Sequence, residues 1–399
     1  MDPTDLAIEY ARQILDLVEA VQTRFLATMA RSILTNSGSP RYDTTQFAYW
    51  SAVRAHLARQ LGDDWEAVLA RAQWVLDQAR AAGQRQAERD LTDLYANRPG
   101  EWAPPQQTLT ALGAIAADTL TALTAIPAVI LRDADAVYRS ALTTPTTTTV
   151  AGATTTKQAL RDALTDFAAR GITGFTDRAG RNWTLDAYTE MAIRTGTLNA
   201  HRWGYEQTLT TAGEDLVMVT GHGYTCPLCA PWQGTVLSLT GAHPRGWHTL
   251  PSATNPNATV RVYVSATIDH ARSQGLHHPN CGHSEALYLP GASTPATTAA
   301  PRDGDQETYE ASQHQRALER EIRKQKRIQA VTLPADREYQ EAQQAINQAR
   351  TEIRRLVAEH PKLRRKPERE QIRKPSGYRR PPRTPKQGPT RVTITRSDT

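Results

Sequence analysis

The chain has 399 residues, 39% of them apolar, with only 4 phenylalanines against 8 tryptophans and 3 cysteines. That length accommodates two or three domains of roughly 150 residues, and a core drawn from Ala, Leu, Ile, Val and Trp suits helices better than sheets. Three cysteines exclude a closed set of disulfides and point to a reducing compartment, while the net charge of +6 divides unevenly, with 13 Lys+Arg against 3 Asp+Glu in residues 361–399 and 34 against 38 before them.

The N-terminus, MDPTDLAIEYARQ, is acidic and amphipathic, unlike a signal peptide. Leu6, Ala11, Ile14, Leu15, Val18, Val21 and Leu26 fall at helical spacing on one stripe. SGSP at 37–40 breaks the chain, a second helical stretch runs from about Thr45 to Leu94 with a candidate break at LGDD, and NRPGEWAPP at 97–105 is a stop. The most apolar window, 111–131, contains Asp118, three threonines and Pro127, so it reads as a buried helix rather than a membrane span. A kink or division is expected at Pro127. Residues 1–141 are thus expected to form a helical N-terminal domain, a hairpin or bundle. The threonine-rich stretch at 142–157 reads as a linker.

A second domain, α+β in character, is expected over 158–304, opening with a helix at about Gln158. GFTDRAGRNWTL at 174–185 predicts a short hairpin turning at Asp177 to Gly180. Thr184 is placed to cap the helix that follows, whose expected inward stripe is Leu185, Tyr188, Ala192, Thr195 and Trp203, interrupted by Asn199. Gly213 is placed to end that helix, and DLVMVTG predicts a strand. Over 305–360 the chain is helical again, with a seam of Tyr339, Ala342, Ile346, Ala349, Ile353 and Leu356. The proline-rich basic tail, 361–399, lacks the apolar content to fold alone and is expected to be disordered.

The chemistry concentrates in two short motifs. Cys226 and Cys229 form CPLC; the third cysteine, Cys281, lies beyond a 51-residue gap in HHPNCGH, where His278 and Cys281 repeat the same spacing. Two such knuckles, offering three sulfurs and one nitrogen, suit a tetrahedral zinc ion. Buried free thiols are the bland alternative, and a redox CPLC would need a βαβ context that the flanks lack. His277 and His283 compete with His278 for the fourth position. Four protein ligands would leave no place for an activated water, so the expected Zn²⁺ role is structural.

The blocks GRNWTLDAYTEMAIRTG, CPLCAPWQGTV and HHPNCGHSEALYLPG resemble the phage minor capsid protein 2 family, related in role to Mu F-like head morphogenesis proteins, over roughly 155–330. Gly282 stands where that family commonly carries Arg after the cysteine. The resemblance implies a structural, non-enzymatic component of a tailed phage's virion, assembled in the host cytoplasm beside portal and capsid proteins. The basic tail adds DNA as a partner. The alternative is a zinc-stapled nucleic-acid-binding protein or nuclease; no separate His–Asn–His set remains once the metal ligands are removed. A toxin-like transferase would need a folded effector, for which the tail is too short and too polar.

Overall fold

The computed structural model describes residues 3–36, 45–95, 113–136, 175–176, 182–221, 226–255, 257–279, 281–295, 305–332 and 334–372. The expected breaks at 37–40 and 97–105, the linker at 142–157, the helix from about Gln158, the turn at 177–180 and the tail beyond 372 lie outside them.

Three N-terminal helices make the first layer: α1 (Pro3–Asn36), α2 (Thr45–Tyr95) and α3 (Gly113–Thr124), the last followed after Ala125 by a helical segment at 126–136. The expected break at LGDD does not occur. Leu61 and Trp65 are buried on either side of it, and their packing holds Gly62 in a continuous helix despite its low propensity. The division near Pro127 does occur, two residues before the proline, which then sits in the first turn of the next segment where its missing N–H costs least. Trp65 Nε1 donates to the Leu123 carbonyl at 2.9 Å and Trp50 Nε1 to Asp135 at 3.0 Å, fixing α3 and 126–136 to α2.

Strands β1 (Phe175–Thr176) and β2 (Asn182–Trp183) pair antiparallel as the expected hairpin and lead into α4 (Leu185–Thr211), the central helix. Thr184 occupies the N-cap position, but its hydroxyl donates to Asp186 instead of accepting from the backbone. At the other end Gly213, at φ 85°, closes a Schellman motif: Glu214 N donates to Leu209 O and Gly213 N to Thr210 O.

The inward stripe expected for α4 is overturned. Of its members only Leu185 is buried; Tyr188, Ala192, Thr195 and Trp203 are half-buried, while Ile193, Leu198, Ala200, Tyr205 and Leu209 are buried instead. A single stripe suits a helix packed on one side, whereas α4 is covered on several. Leu185 and Ile193 join the core of α1, α2 and α3; Tyr205 and Leu209 join a second core under the sheet. Hydrophobic packing thus continues across the boundary expected at 142–157. Two glycines permit the approach of α2 to α4. A Cβ on Gly83 would lie 1.9 Å from the His201 carbonyl oxygen, and one on Gly204 2.3 Å from that of Arg80.

The five-stranded sheet contains β3 (Leu216–Val219), β4 (Val236–Ser238), β5 (Gly246–Pro251), β6 (Thr259–Thr267) and β7 (Glu285–Leu287) in the order β5-β6-β4-β3-β7. All neighbours are antiparallel except β4 and β6. Val217 and Val219 face α4 and the end of α2; Leu216 packs on the opposite face with Val236, Val262, Val264 and Tyr288. The short helix α5 (Ile268–Ser273) follows β6 directly.

Helices α6 (Asp305–Val331) and α7 (Arg337–Glu359) form a hairpin. Ala342, Ile346, Ala349, Ile353 and Leu356 are buried, so the expected seam is real, and its partner is the preceding helix through Ile322 and Ala311. The tail's first twelve residues correct the expectation of disorder from Pro361. Leu363 packs against Ala311 and Leu356, a 3-10 turn spans Pro367–Glu370, and Arg323 and Lys326 donate to the carbonyls of Arg369 and Glu370. Sparse apolar content still suffices where one leucine and several backbone carbonyls find a ready-made helix face. Among the described residues no helix is long and apolar enough to cross a membrane.

Candidate metal centre

The CPLC motif folds into a tight knuckle because the Cys226 carbonyl accepts from Cys229 N at 3.1 Å and Ala230 N at 3.0 Å, while the Cys229 carbonyl accepts from Trp232 N and Gln233 N. The second knuckle follows α5. His278 N donates to Gly275 O, and Cys281 N to His278 O at 2.9 Å. His283 N donates to the Cys281 sulfur at 3.4 Å, an N–H···S bond that stabilises negative charge on that sulfur. Sheet pairing of β3 with β4 and β7 brings the two knuckles together.

The donor atoms converge. Cys226 Sγ lies 2.8 Å from His278 Nε2, Cys229 Sγ 3.4 Å from Cys281 Sγ, and Cys281 Sγ 3.5 Å from His283 Nδ1. Two overlapping sets result, Cys226–Cys229–His278 and Cys229–Cys281–His283, with the donors of each within 4.8 Å of one another. Ligands about 2.0–2.3 Å from a tetrahedral ion stand under about 4 Å apart, so these residues fit a metal. All four residues expected from sequence are present, and His283 is a fifth donor at the same place.

Orientation separates the histidines. His278 Nδ1 donates its N–H to the Pro279 carbonyl at 2.9 Å, which leaves Nε2 as the ring nitrogen that faces the sulfurs. His277, by contrast, takes a left-handed backbone at φ 60° and turns its ring away, with Nε2 3.0 Å from Glu285 Oε1.

Crowding of three thiols sets the electrostatics. Hydrogen bonding from Cys229, then His278, pulls Cys226 down to about 4, and hydrogen bonding from Cys229, then His283, pulls Cys281 down as well. Cys229 is pushed far up, because its proton serves both neighbours and its thiolate would stand between two others. A divalent cation removes that conflict and allows all three to ionise.

One residue holding the site carries no sequence signal. Arg202, 3% exposed on α4, donates from Nε to the His283 carbonyl at 3.1 Å and from Nη2 to those of His283 and Cys281. Asn199, one turn earlier, orients the guanidinium at 2.9 Å. Only the oddity of a polar Asn199 along the expected stripe hinted at this. Thr4 of α1 also reaches the knuckle, donating to Gly282 O at 3.2 Å.

Behind the knuckle lies a buried charge cluster. Arg272 pairs with Glu206 at 2.5 Å, and Glu285 sits near His277, Arg202 and Arg272. Burial and then the Glu285 charge raise Glu206 to about 7; burial opposes ionisation of Glu285 too, but His277 and the arginines outweigh it and bring that carboxyl down to about 2. These groups pair with one another, and we find among them no arrangement in which a nucleophile meets a base.

No solved structure matches the chain. It is similar to a "Structural protein" of Lactococcus phage LL-H, 27% identical over 237 residues, covering 59% of this chain and 61% of that protein. The chain thus spans about three-fifths of the length of that relative. Over residues 2–358 the sequence matches the family described as Phage minor capsid protein 2, which includes both knuckles, the central helix and the C-terminal hairpin, and on that match the chain belongs to this family.

Proposed function

We propose that this chain is a structural minor component of a tailed phage head, assembled in the host cytoplasm beside the portal and capsid proteins. The family match over 2–358 is the observation that carries the role. The 27% identical relative, named a structural protein of a phage, supports it. On this reading the long helices and the α6–α7 hairpin supply protein-binding surfaces, and the chemistry of the knuckles serves stability rather than catalysis. Quantitative mass spectrometry of purified particles tests it: the expected result is a copy number far below that of the major capsid protein. Absence from proheads and virions, with the protein abundant in the lysate, overturns it.

Within that role we assign the metal as one structural zinc ion held by Cys226, Cys229, His278 and Cys281. The convergent donors support this set, and the Nδ1 bond of His278 favours it over His283. Zinc would staple β3, β4 and β7 at the loops they leave open. The basic residues of the tail, eight between 373 and 399 against one acid, are assigned to sequence-independent contact with packaged DNA.

A further inference from the structure

A cavity of about 660 Å³ runs past the Cys/His knuckles, walled also by the first turn of α1, Trp183, α6 and residues 362–369. Among the described residues that line it are six cations, Arg194, Arg316, Lys362, Arg364, Lys366 and Arg369, against one carboxylate, Asp5. Glu190 and Glu319 partly neutralise two of them: Arg194 lies 3.9 Å from Glu190, and Arg369 lies 3.5 Å from Glu190 and 3.6 Å from Glu319. Arg316, Lys362, Arg364 and Lys366 lie on two adjoining segments, joined where Gln315 Nε2 donates to the Arg364 carbonyl at 3.0 Å. Trp183 and Tyr309 line the same cavity with half-buried aromatic surface.

We propose that this cavity binds a single nucleic-acid strand, with Arg316, Lys362, Arg364 and Lys366 on the phosphates and Trp183 and Tyr309 against the bases. Cations and aromatic side chains in one cavity suit a flexible strand, since every base offers a π-face and every link a phosphate. The volume suits a ligand of about two nucleotides, and it does not admit a duplex. An acidic peptide would satisfy the cations but leave both aromatic walls without a flat partner. The chain's own tail beyond 372 is excluded as occupant by its like charge. The site is distinct from the contact assigned to that tail, and it does not depend on the head-component reading.

The test uses the full chain and a labelled oligothymidylate carrying 5-bromouracil, with affinity followed by fluorescence anisotropy across a salt series. Arg316→Ala with Arg364→Ala is expected to weaken binding about tenfold and to lower the salt slope by about 1.4, two phosphates' worth on a single strand. Arg316→Lys with Arg364→Lys should restore most of both, which separates lost charge from lost fold. Photo-crosslinks should map to Trp183 or Tyr309. Crosslinks confined to 373–399, with the double alanine variant at parental affinity, overturn the proposal. So does polyglutamate binding that the double alanine variant weakens equally, with no crosslink at either aromatic residue. No virion enters these measurements, so their failure leaves the structural role standing.

Discussion

Each half of the central helix holds a buried anchor, and the two are built on opposite chemistry. Toward the C-terminal end Arg202 grips the second knuckle through backbone carbonyls, and the knuckle itself depends on converging thiols. At the N-terminal end Asp186, 3% exposed, meets Arg323 at 3.1 Å and Arg327 at 3.7 Å, which ties α4 to the C-terminal hairpin. On the zinc assignment the first anchor would take its strength from an ion supplied from outside the chain, whereas the second is complete within it. A structure held in both ways should lose its two ends independently, under different conditions.

The largest expected effect is at the knuckles. Cys281→Ser should abolish binding of one equivalent of zinc and leave 226–284 without its main restraint, because structural zinc contributes on the order of 10 kcal/mol to such sites. Metal analysis and amide hydrogen exchange measure it: protection should fall in β3, β4 and β7 and persist in the α6–α7 hairpin. A chain equally stable in chelator would sink the zinc assignment. His278→Ala should cost more metal affinity than His283→Ala, and the reverse order would exchange their roles.

Next in size is the internal anchor. Asp186→Asn leaves two buried guanidinium groups facing a neutral amide and should lower stability by about 3 kcal/mol in urea titrations. Burial raises the cost of charging Asp186, but Arg323, Arg327 and the Thr184 hydroxyl outweigh it and hold the carboxyl well below its ordinary 3.8. A group whose folded pKa is depressed contributes fully above its unfolded value. This anchor should therefore be intact above about pH 4 and weaken as pH falls further, a trend that Asp186→Asn removes. Protonation of the cysteines and histidines would also release a metal bound there, so the comparison is made on chelated protein.

The smallest effect sharpens the comparison at the sheet. Asp215 accepts from Thr240 N and Oγ1, Ser238 Oγ and His243 Nδ1, all within 2.7 Å, which against some burial brings it down to about 2. Asp215→Asn should cost about 1 kcal/mol. Its pH-dependent share should fade between pH 3.8 and about 2, and metal content should stay unchanged. A loss of zinc in this variant would show that the loop at 238–243 belongs to the knuckle end after all.

Helix existence was legible because repeated spacing of apolar residues survives any choice of partner. The stripe of α1, the seam of α7, the hairpin at β1–β2 and the glycine stop at Gly213 all follow from local rules. The knuckles were legible for a related reason: ligand spacing is a property of the covalent chain, and three cysteines at matched separations leave few alternatives. What packs against what was not legible. Gly62 reads as a breaker until Leu61 and Trp65 are seen to be buried, and α4 reads as one-sided until two cores close around it. Residues 361–372 read as tail because their composition is polar, and only the finished face of α6 supplies the donors and the apolar slot that order them. Arg202 is the sharpest case. Beyond the polar Asn199 nothing in its neighbours marks it, since its main partners are carbonyls 79 and 81 positions away that become partners only when the sheet delivers the second knuckle to α4. The sequence by itself determined the helices and the grouping of cysteines and histidines; tertiary structure alone decided that His278 and His283 both reach the sulfurs while His277 does not, which arginine holds the loop and which cations share one cavity, because each depends on distances that no local pattern encodes.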